Sequence, residues 1–223
     1  PVTVSKALAK ALMRFSSAKT PRDKLAVFRD LSAKDFVPVP PAIKERSTGL
    51  TMGESAEYMA KVNHISREAQ DAFAHRSHAL AAKAWADGKF DDDVMPVYVP
   101  PIFRKSIRKD NLVREDSQVG AYSKLRPVFD RKYGSITAGN ASPLTDGASA
   151  LLLMREDVAA AEGYKPLGFL KSFAFVAVDP KDQLLLGPAF AVPKALDAAS
   201  MTLKDIDVLD MHEAFAAQVL SNT

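Results

Sequence analysis

Val4, Leu8, Leu12 and Phe15 recur every three or four positions, with Lys6, Lys10 and Arg14 on another face, so the first 35 residues are predicted to follow an amphipathic helical pattern. In Val37-Pro38-Val39-Pro40-Pro41 the prolines lack backbone donors and bias their predecessors to extended geometry, which predicts a rigid connector. Ser66 is placed to cap a helix over Arg67 to Asp87, and Gly88 to end it, with Phe73, Leu80, Ala81, Ala84 and Trp85 on one face. Val94 to Val99 is apolar and β-prone and stops at Pro100-Pro101; a charge-dense stretch, Arg104 to Asp116, follows. From Gly134 onward small and turn-forming residues lead into Ala148 to Met154, a continuous apolar run that predicts a buried strand, with a helix as the alternative. Glu156 to Glu162 is a helix ending at Gly163, Leu167 to Val178 a strand with some alternation, and Pro193 to Ala199 a helix. Thr202 to Asp205 has the spacing of a helical start; Val208 to Met211 is a short strand running into a helix over Glu213 to Leu220. Strand and helix alternating over the last third place the chain in the α/β class, with partly parallel strands.

Composition narrows the function. The 223 residues are 47% hydrophobic and 26% charged, the profile of an ordinary globular protein of one large or two small domains. Cysteine is absent, which excludes disulfides, thiolate metal sites and a thiol nucleophile from these residues. Lys and Arg exceed Asp and Glu by 30 to 27, a net charge of +3, too little for a dedicated nucleic-acid binder, so no nucleic-acid partner is expected. No apolar run reaches the roughly 18 residues of a membrane span, and Pro1 to Ser5 lacks the layout of a signal peptide, so a soluble intracellular protein is expected. A first residue other than Met, in mid-pattern, leads to the expectation of a piece of a longer chain.

Few side chains suggest chemistry on their own. His75 and His78 lie three apart on a helix but lack a third ligand at helical spacing, and Asp91-Asp92-Asp93 lacks the Gly and Glu of a calcium loop, so no metal is expected. His64 is a loop residue without an evident partner. His212 stands where a strand turns into a helix, the position from which α/β proteins reach a ligand crevice, with an N-cap or core histidine as the plainer alternative. Gly139-Asn140-Ala141-Ser142 and Asp146-Gly147 bracket a loop of small residues that either lets a thin ligand approach or is simply a tight turn. Arg104, Lys105, Arg108, Lys109 and Arg114 are interspersed with Asp110, Glu115 and Asp116, and no phosphate-cradling glycine motif is present.

The string from Gly134 to Ser142 (GSITAGNAS), followed by Asp146-Gly147-Ala148, resembles the thiolase family, as does His212 to Gln218 (HEAFAAQ). Met52-Gly53 with Ala56-Glu57, Ile65-Ser66-Arg67-Glu68 through Gln70-Asp71, Lys124-Leu125-Arg126-Pro127 through Phe129-Asp130, and Leu186-Gly187-Pro188 match in the family's order. Histidine in place of the more common asparagine of the His-Glu-Ala-Phe motif, together with the run from Pro180 to Pro188, is most similar to the β chains of the fatty-acid oxidation complex.

The resemblance implies an α/β thiolase-fold fragment. Residues 1–144 would be the coenzyme A-binding loop domain, 145–165 the last strand and helix of the N-terminal half, and 166–223 the start of the C-terminal half. It implies acetyl-CoA C-acyltransferase activity in fatty-acid β-oxidation, with the nucleophilic cysteine and the base histidine outside these residues and the fragment inactive alone. His212 would build an oxyanion hole, directly or through a water. Ser142 would bond the pantetheine arm, Ala138, Met52 and Phe129 would line its tunnel, Phe215 would pack near the catalytic centre, and Arg114 would lie near the adenine end. Glu213 would be a buried structural acid. No covalent cofactor is implied; coenzyme A and acyl-CoA are substrates. A homodimer or higher oligomer, a hydratase/dehydrogenase α chain as a candidate partner, and a bacterial cytoplasmic rather than mitochondrial setting complete the expectation. A non-catalytic coenzyme A-binding or oligomerisation module is the alternative.

Overall fold

The computed structural model describes residues 3–39 and 43–223, arranged as two compact units that meet in sequence at Lys44 and Glu45. In the first unit, helix α1 (Lys6–Ser17) is capped by Ser5, whose hydroxyl accepts the Leu8 N–H at 3.1 Å. The expected continuous pattern breaks at Ala18, because Thr20 caps a new helix, α2 (Pro21–Ala26), with proline at its start where no donor is needed. Phe15 meets Phe28 with ring centres 5.6 Å apart, and a short 3₁₀ turn (Ala33–Phe36) follows. Val37 is extended, as the proline-rich stretch requires, and Val39 bridges Thr3; Pro40 and Pro41 lie outside the described residues.

The second unit is built on two helices. Thr51 and Glu54 form a reciprocal capping box that starts α3 (Met52–Val62). Gly53, Ala56, Glu57 and Ala60 are buried on one face of it, spaced three or four apart. Ser66 caps α4 (Arg67–Ala86), which ends before Gly88 in the left-handed conformation at φ 69°, as its sequence predicts. A hairpin pairs β1 (Val97–Tyr98) with β2 (Ser106–Ile107), shorter than the apolar run that predicts it. Short helices α5 (Val119–Tyr122) and α6 (Glu156–Ala161) follow, the latter as expected. Helix α7 (Gly187–Ala198) begins earlier than the Pro193 boundary expected, with Pro188 inside its first turn, and Thr202 caps a 3₁₀ turn (Leu203–Asp205). The last helix, α8 (Ala216–Asn222), begins after the expected Glu213, because Phe215 is extended and bridges Ala141.

The core is made of small residues. Ala56 and Ala60 of α3 meet Ala217 of α8 and Ile136, flanked by Ile65, Phe129, Ala141, Leu185 and Phe215. Alanine at the contact lets the helix axes approach closely. Gly53 extends this economy: a Cβ there would lie 1.9 Å from Cζ of Phe129, so only glycine leaves room for the ring.

Three predicted strands behave differently. Ala148 to Met154 is not buried: Leu151, Leu152 and Leu153 are 86, 77 and 74% exposed. Neither this run nor Leu167 to Val178 nor Val208 to Met211 forms a ladder among the described residues. A strand becomes buried only when neighbours pair with its edges and cover its faces, and no described segment does so here. Residues 171–180 nevertheless alternate strictly between exposed and half-buried, the period of a strand, with the Ser172 hydroxyl donating to the Ala195 carbonyl of α7 at 2.6 Å.

In solution the 223-residue chain should show slow amide exchange in α3 and α4 and near-unstructured exchange over 148–154, with self-association through its exposed apolar runs. Uniform protection in a monomer would contradict this. Lys61 bonds Asp130 at 2.6 Å, and the other Asp130 oxygen accepts the N–H groups of Lys132 and Tyr133 at 3.0 Å. The Lys61 contact first, then those backbone donors, lower the Asp130 pKa to about 2. A depressed carboxyl contributes stability above its unfolded value of 3.8 and loses it as pH falls through about 2. Carbon-13 titration should therefore place the Asp130 midpoint near 2 and return it toward 3.8 in Lys61→Ala; a midpoint of 3.8 in the unaltered chain would show that the contact is not made.

Candidate functional site

The loop 135–142 is rich in small residues; Ile136 packs into the core, and hydrogen bonds fix the shape of the rest. Glu57 of α3, buried, accepts the Ser135 N–H at 2.7 Å, the Ser135 hydroxyl at 2.9 Å and the Ile136 N–H at 3.0 Å. Gln70 of α4 donates to the Ser135 hydroxyl at 2.9 Å and to the Ile65 carbonyl at 3.2 Å. Asn140, also buried, accepts the Thr137 N–H at 2.8 Å and donates to Asp71 at 2.8 Å and to the Ser135 carbonyl at 3.1 Å. Asp71 in turn accepts from Nε of Arg67 at 2.7 Å, and the Arg67 guanidinium reaches the carbonyls of Tyr122 at 2.6 Å and Leu125 at 3.2 Å. Buried charges survive only when paired in this way.

The loop is then joined to the turn before α8. The Ser142 N–H donates to the Ala214 carbonyl at 2.8 Å, and the Ala216 N–H donates to the Asn140 carbonyl at 3.0 Å, around the Ala141–Phe215 bridge. Phe215 lies edge-on to Phe129 with ring centres 6.1 Å apart. The Phe129 ring fills the space over Gly53, the neighbour of half-buried Met52. Five of the seven residues singled out by sequence (Met52, Phe129, Ala138, Ser142 and Phe215) therefore stand on or against one pair of joined loops. Ala138 and Ser142 are exposed, and the Ser142 hydroxyl has no partner among the described residues.

His212 is exposed and its imidazole is also unengaged among the described residues. It does not sit at a helix N-terminus, as its strand-to-helix placement predicts, because α8 begins four residues later. Both neighbours are tethered: the Gln218 amide donates to the sulfur of Met211 at 3.6 Å, and the Ser77 hydroxyl of α4 donates to Glu213. Glu213 is thus an exposed acid held by α4, not the buried one expected. Arg114 approaches the same helix, its N–H donating to Nδ1 of His78 at 3.2 Å. Burial, then the Arg114 charge and His75, push the His78 pKa down, opposed by Glu213, in keeping with its Nδ1 accepting the Arg114 N–H. His75 contacts the Ser117 hydroxyl at 3.0 Å, and no metal-binding cluster occurs among the described residues.

Two surface depressions, of about 310 and 230 Å³, are lined by Val176, Ala177, Val178, Asp179, Asp182, Phe190 and Lys194, and by Arg67, Glu68, Asp71, Val119 and Ser123. None of the seven residues lines either. Glu57, Gln70, Asp71 and Asn140, which support the loop, escape a search for catalytic side chains because they bond the loop and one another. Their sequence signal is polar residues on otherwise apolar helical faces: Glu57 between Ala56 and Ala60, Asp71 four residues after Arg67.

A model of the thiolase N-terminal domain matches residues 15–157, and one of the thiolase C-terminal domain matches residues 164–223. The 3-ketoacyl-CoA thiolase of Shewanella amazonensis is 56% identical over the whole chain, which spans 51% of that protein; that of Alteromonas mediterranea is 55% identical with the same coverage. The chain therefore spans about half the length of the curated relatives it matches. Among solved structures, the Bacillus anthracis acetyl-CoA acetyltransferase superposes with a TM-score of 0.74 at 39% identity, over 81% of this chain and 45% of that one. Human mitochondrial 3-ketoacyl-CoA thiolase in complex with CoA gives 0.70 at 30% identity, over 81% of this chain and 44% of that one. These neighbours have the α/β thiolase fold, and the two family models together cover most of the residues described here. The chain belongs to the thiolase family.

Proposed function

We propose that the chain is the coenzyme A-binding middle portion of a degradative thiolase, cleaving a 3-ketoacyl-CoA with coenzyme A to acetyl-CoA and a shortened acyl-CoA. The observation that carries this reading is the joining of the loop 135–142 to the turn 211–216, which sets an unengaged Ser142 hydroxyl and an unengaged His212 imidazole on adjoining backbones. Relatives named 3-ketoacyl-CoA thiolase, and a neighbour solved in complex with CoA, support the substrate class.

In this reading a thiolate from outside these cysteine-free residues attacks the keto carbon. The bond between the α and β carbons breaks, and its electron pair leaves with the α carbon, which takes a proton from an acid outside these residues to give acetyl-CoA. Coenzyme A, deprotonated by the same group, then takes the acyl group from sulfur and returns the thiolate. Negative charge develops on a carbonyl oxygen during these steps, and a donor already in place stabilises it without reorganisation. His212 supplies that donor, directly or through a water. Ser142 bonds the pantetheine arm; Ala138, Met52 and Phe129 form its apolar wall; Phe215 packs beside the reacting centre; Arg114 lies toward the adenine end.

The meeting of the two family models between residues 157 and 164 supports a division between an N-terminal half ending with 145–165 and a C-terminal half starting at 166–223, and by family resemblance residues 1–144 are the loop domain. The unpaired apolar segments at 148–154 and 208–211 take their strand partners from the remaining half of the enzyme. Family resemblance also supports a homo-oligomer, with a hydratase/dehydrogenase α chain as its partner. The bacterial relatives support a cytoplasmic setting, and no helix among the described residues is long and apolar enough to cross a membrane.

In the full-length enzyme, His212→Ala should lower kcat by about a hundredfold, the size of a lost oxyanion donor. An unchanged rate would remove His212 from the mechanism. The purified 223-residue chain should not turn over acetoacetyl-CoA, and measurable thiolysis by it would refute an external nucleophile.

A further inference from the structure

Asp71 and Asn140 make a contact whose direction matters more than its strength. An amide has two nearly equal faces, one accepting and one donating, and can settle either way round. Here the Asn140 oxygen faces the Thr137 N–H and its nitrogen faces Asp71 and the Ser135 carbonyl. A carboxylate is purely an acceptor, and the other oxygen of Asp71 accepts from Nε of Arg67 at 2.7 Å. Only the nitrogen of Asn140 can face it. The same residue, through its main-chain carbonyl, receives the Ala216 N–H from the turn that carries His212.

Resting on the thiolase reading above, we propose that Asp71 is a positioning residue that, by fixing the orientation of the Asn140 amide, holds the Ser142 and His212 backbones in one frame. Asp71 touches neither substrate nor reacting atoms in this reading. It sets the distance between the group that holds the pantetheine arm and the group that meets the oxyanion. Asp71→Asn keeps the shape but presents both a donor and an acceptor, so the Asn140 amide is held in register only by the Thr137 N–H and the Ser135 carbonyl and inverts more readily. Inversion takes the acceptor from Thr137, puts its nitrogen against that N–H, and loosens the segment that runs through Ala138 to Ser142.

Full-length enzyme carrying Asp71→Asn should therefore lose about tenfold in kcat and gain about tenfold in KM for coenzyme A, since small misplacements of reacting groups are costly. Amide exchange at Ser142 and Ala216 should accelerate by about tenfold or more while exchange within α3 stays as it is. In a His212→Ala background the loss of kcat from Asp71→Asn should shrink to less than about threefold, because the two residues act on the same step. A general structural role would instead multiply the two losses and raise exchange in α3 as well, and that result overturns the proposal. So do unchanged exchange rates at Ser142 and Ala216, whether or not the enzyme thiolyses acetoacetyl-CoA, which separates failure here from failure of the thiolase reading. Should Asp71→Asn not fold, Arg67→Lys carries the test. It keeps a cation but loses the fork geometry, and a rise of about two- to fivefold in exchange at the same two amides is expected, with no rise overturning the proposal.

Discussion

Two acids on consecutive helices, Glu57 on α3 and Asp71 on α4, hold the loop 135–142, and the rest of the site hangs from that loop. Its glycine, alanine and serine residues can admit a thin ligand because they present so little bulk, and for the same reason they cannot hold themselves by packing. Hydrogen bonds to charged groups contribute about 1.5–3 kcal/mol each, roughly twice the neutral value, so carboxylates are effective anchors for bare backbone. Burying them is expensive unless every oxygen is answered. Glu57 is answered by three donors from two residues, and Asp71 by an arginine and an amide. Removing either acid would strand its donors and loosen the part of the loop it holds.

The apolar core beside this frame is made for close approach more than for bulk. Ala56, Ala60 and Ala217 contribute single methyl groups, and at about 0.8 kcal/mol per buried carbon they yield far less than leucines would. What they give is proximity: α8 comes close enough to α3 for Phe215 to reach Phe129, and for the Ala216 N–H to reach Asn140. Gly53 serves the same end at the other side of the ring. Thin packing makes the polar frame correspondingly more important for defining one arrangement.

Local signals in the sequence are the ones that match the structure. Ser66 before α4, Gly163 after α6 and the Thr202–Asp205 box each act within a few residues, where capping chemistry dominates. Helix α8 starts late because a tertiary contact, the bridge from Phe215 to Ala141, takes the residues that composition alone would place in the helix. The candidate site was legible as a set of motifs, since Glu57, Gln70 and Asp71 all fall within the matched segments around α3 and α4. Their function was not, because a residue whose partners lie 65 or more positions away leaves no local pattern.

The alternation of residues 171–180 shows what remains open around His212. Ser172, Ala174, Val176 and Val178 are half-buried, while Phe173 and Phe175 point outward, touching each other at 5.5 Å. A period of two can be set only by a strand with distinct faces, so this segment has its strand character without ladder partners. Val208 and Leu209 are likewise exposed, and they lead directly into His212. The turn that carries His212 is therefore held from one direction, by Ser77 on Glu213 and by Gln218 on Met211, while the backbone entering it lies unpaired among the described residues. In the role proposed for His212, an oxyanion donor has to be placed to within a fraction of an ångström to be effective. Tethers on α4 and α8 can fix where the turn stands, but only a paired strand at 208–211 can fix the angle at which His212 leaves it.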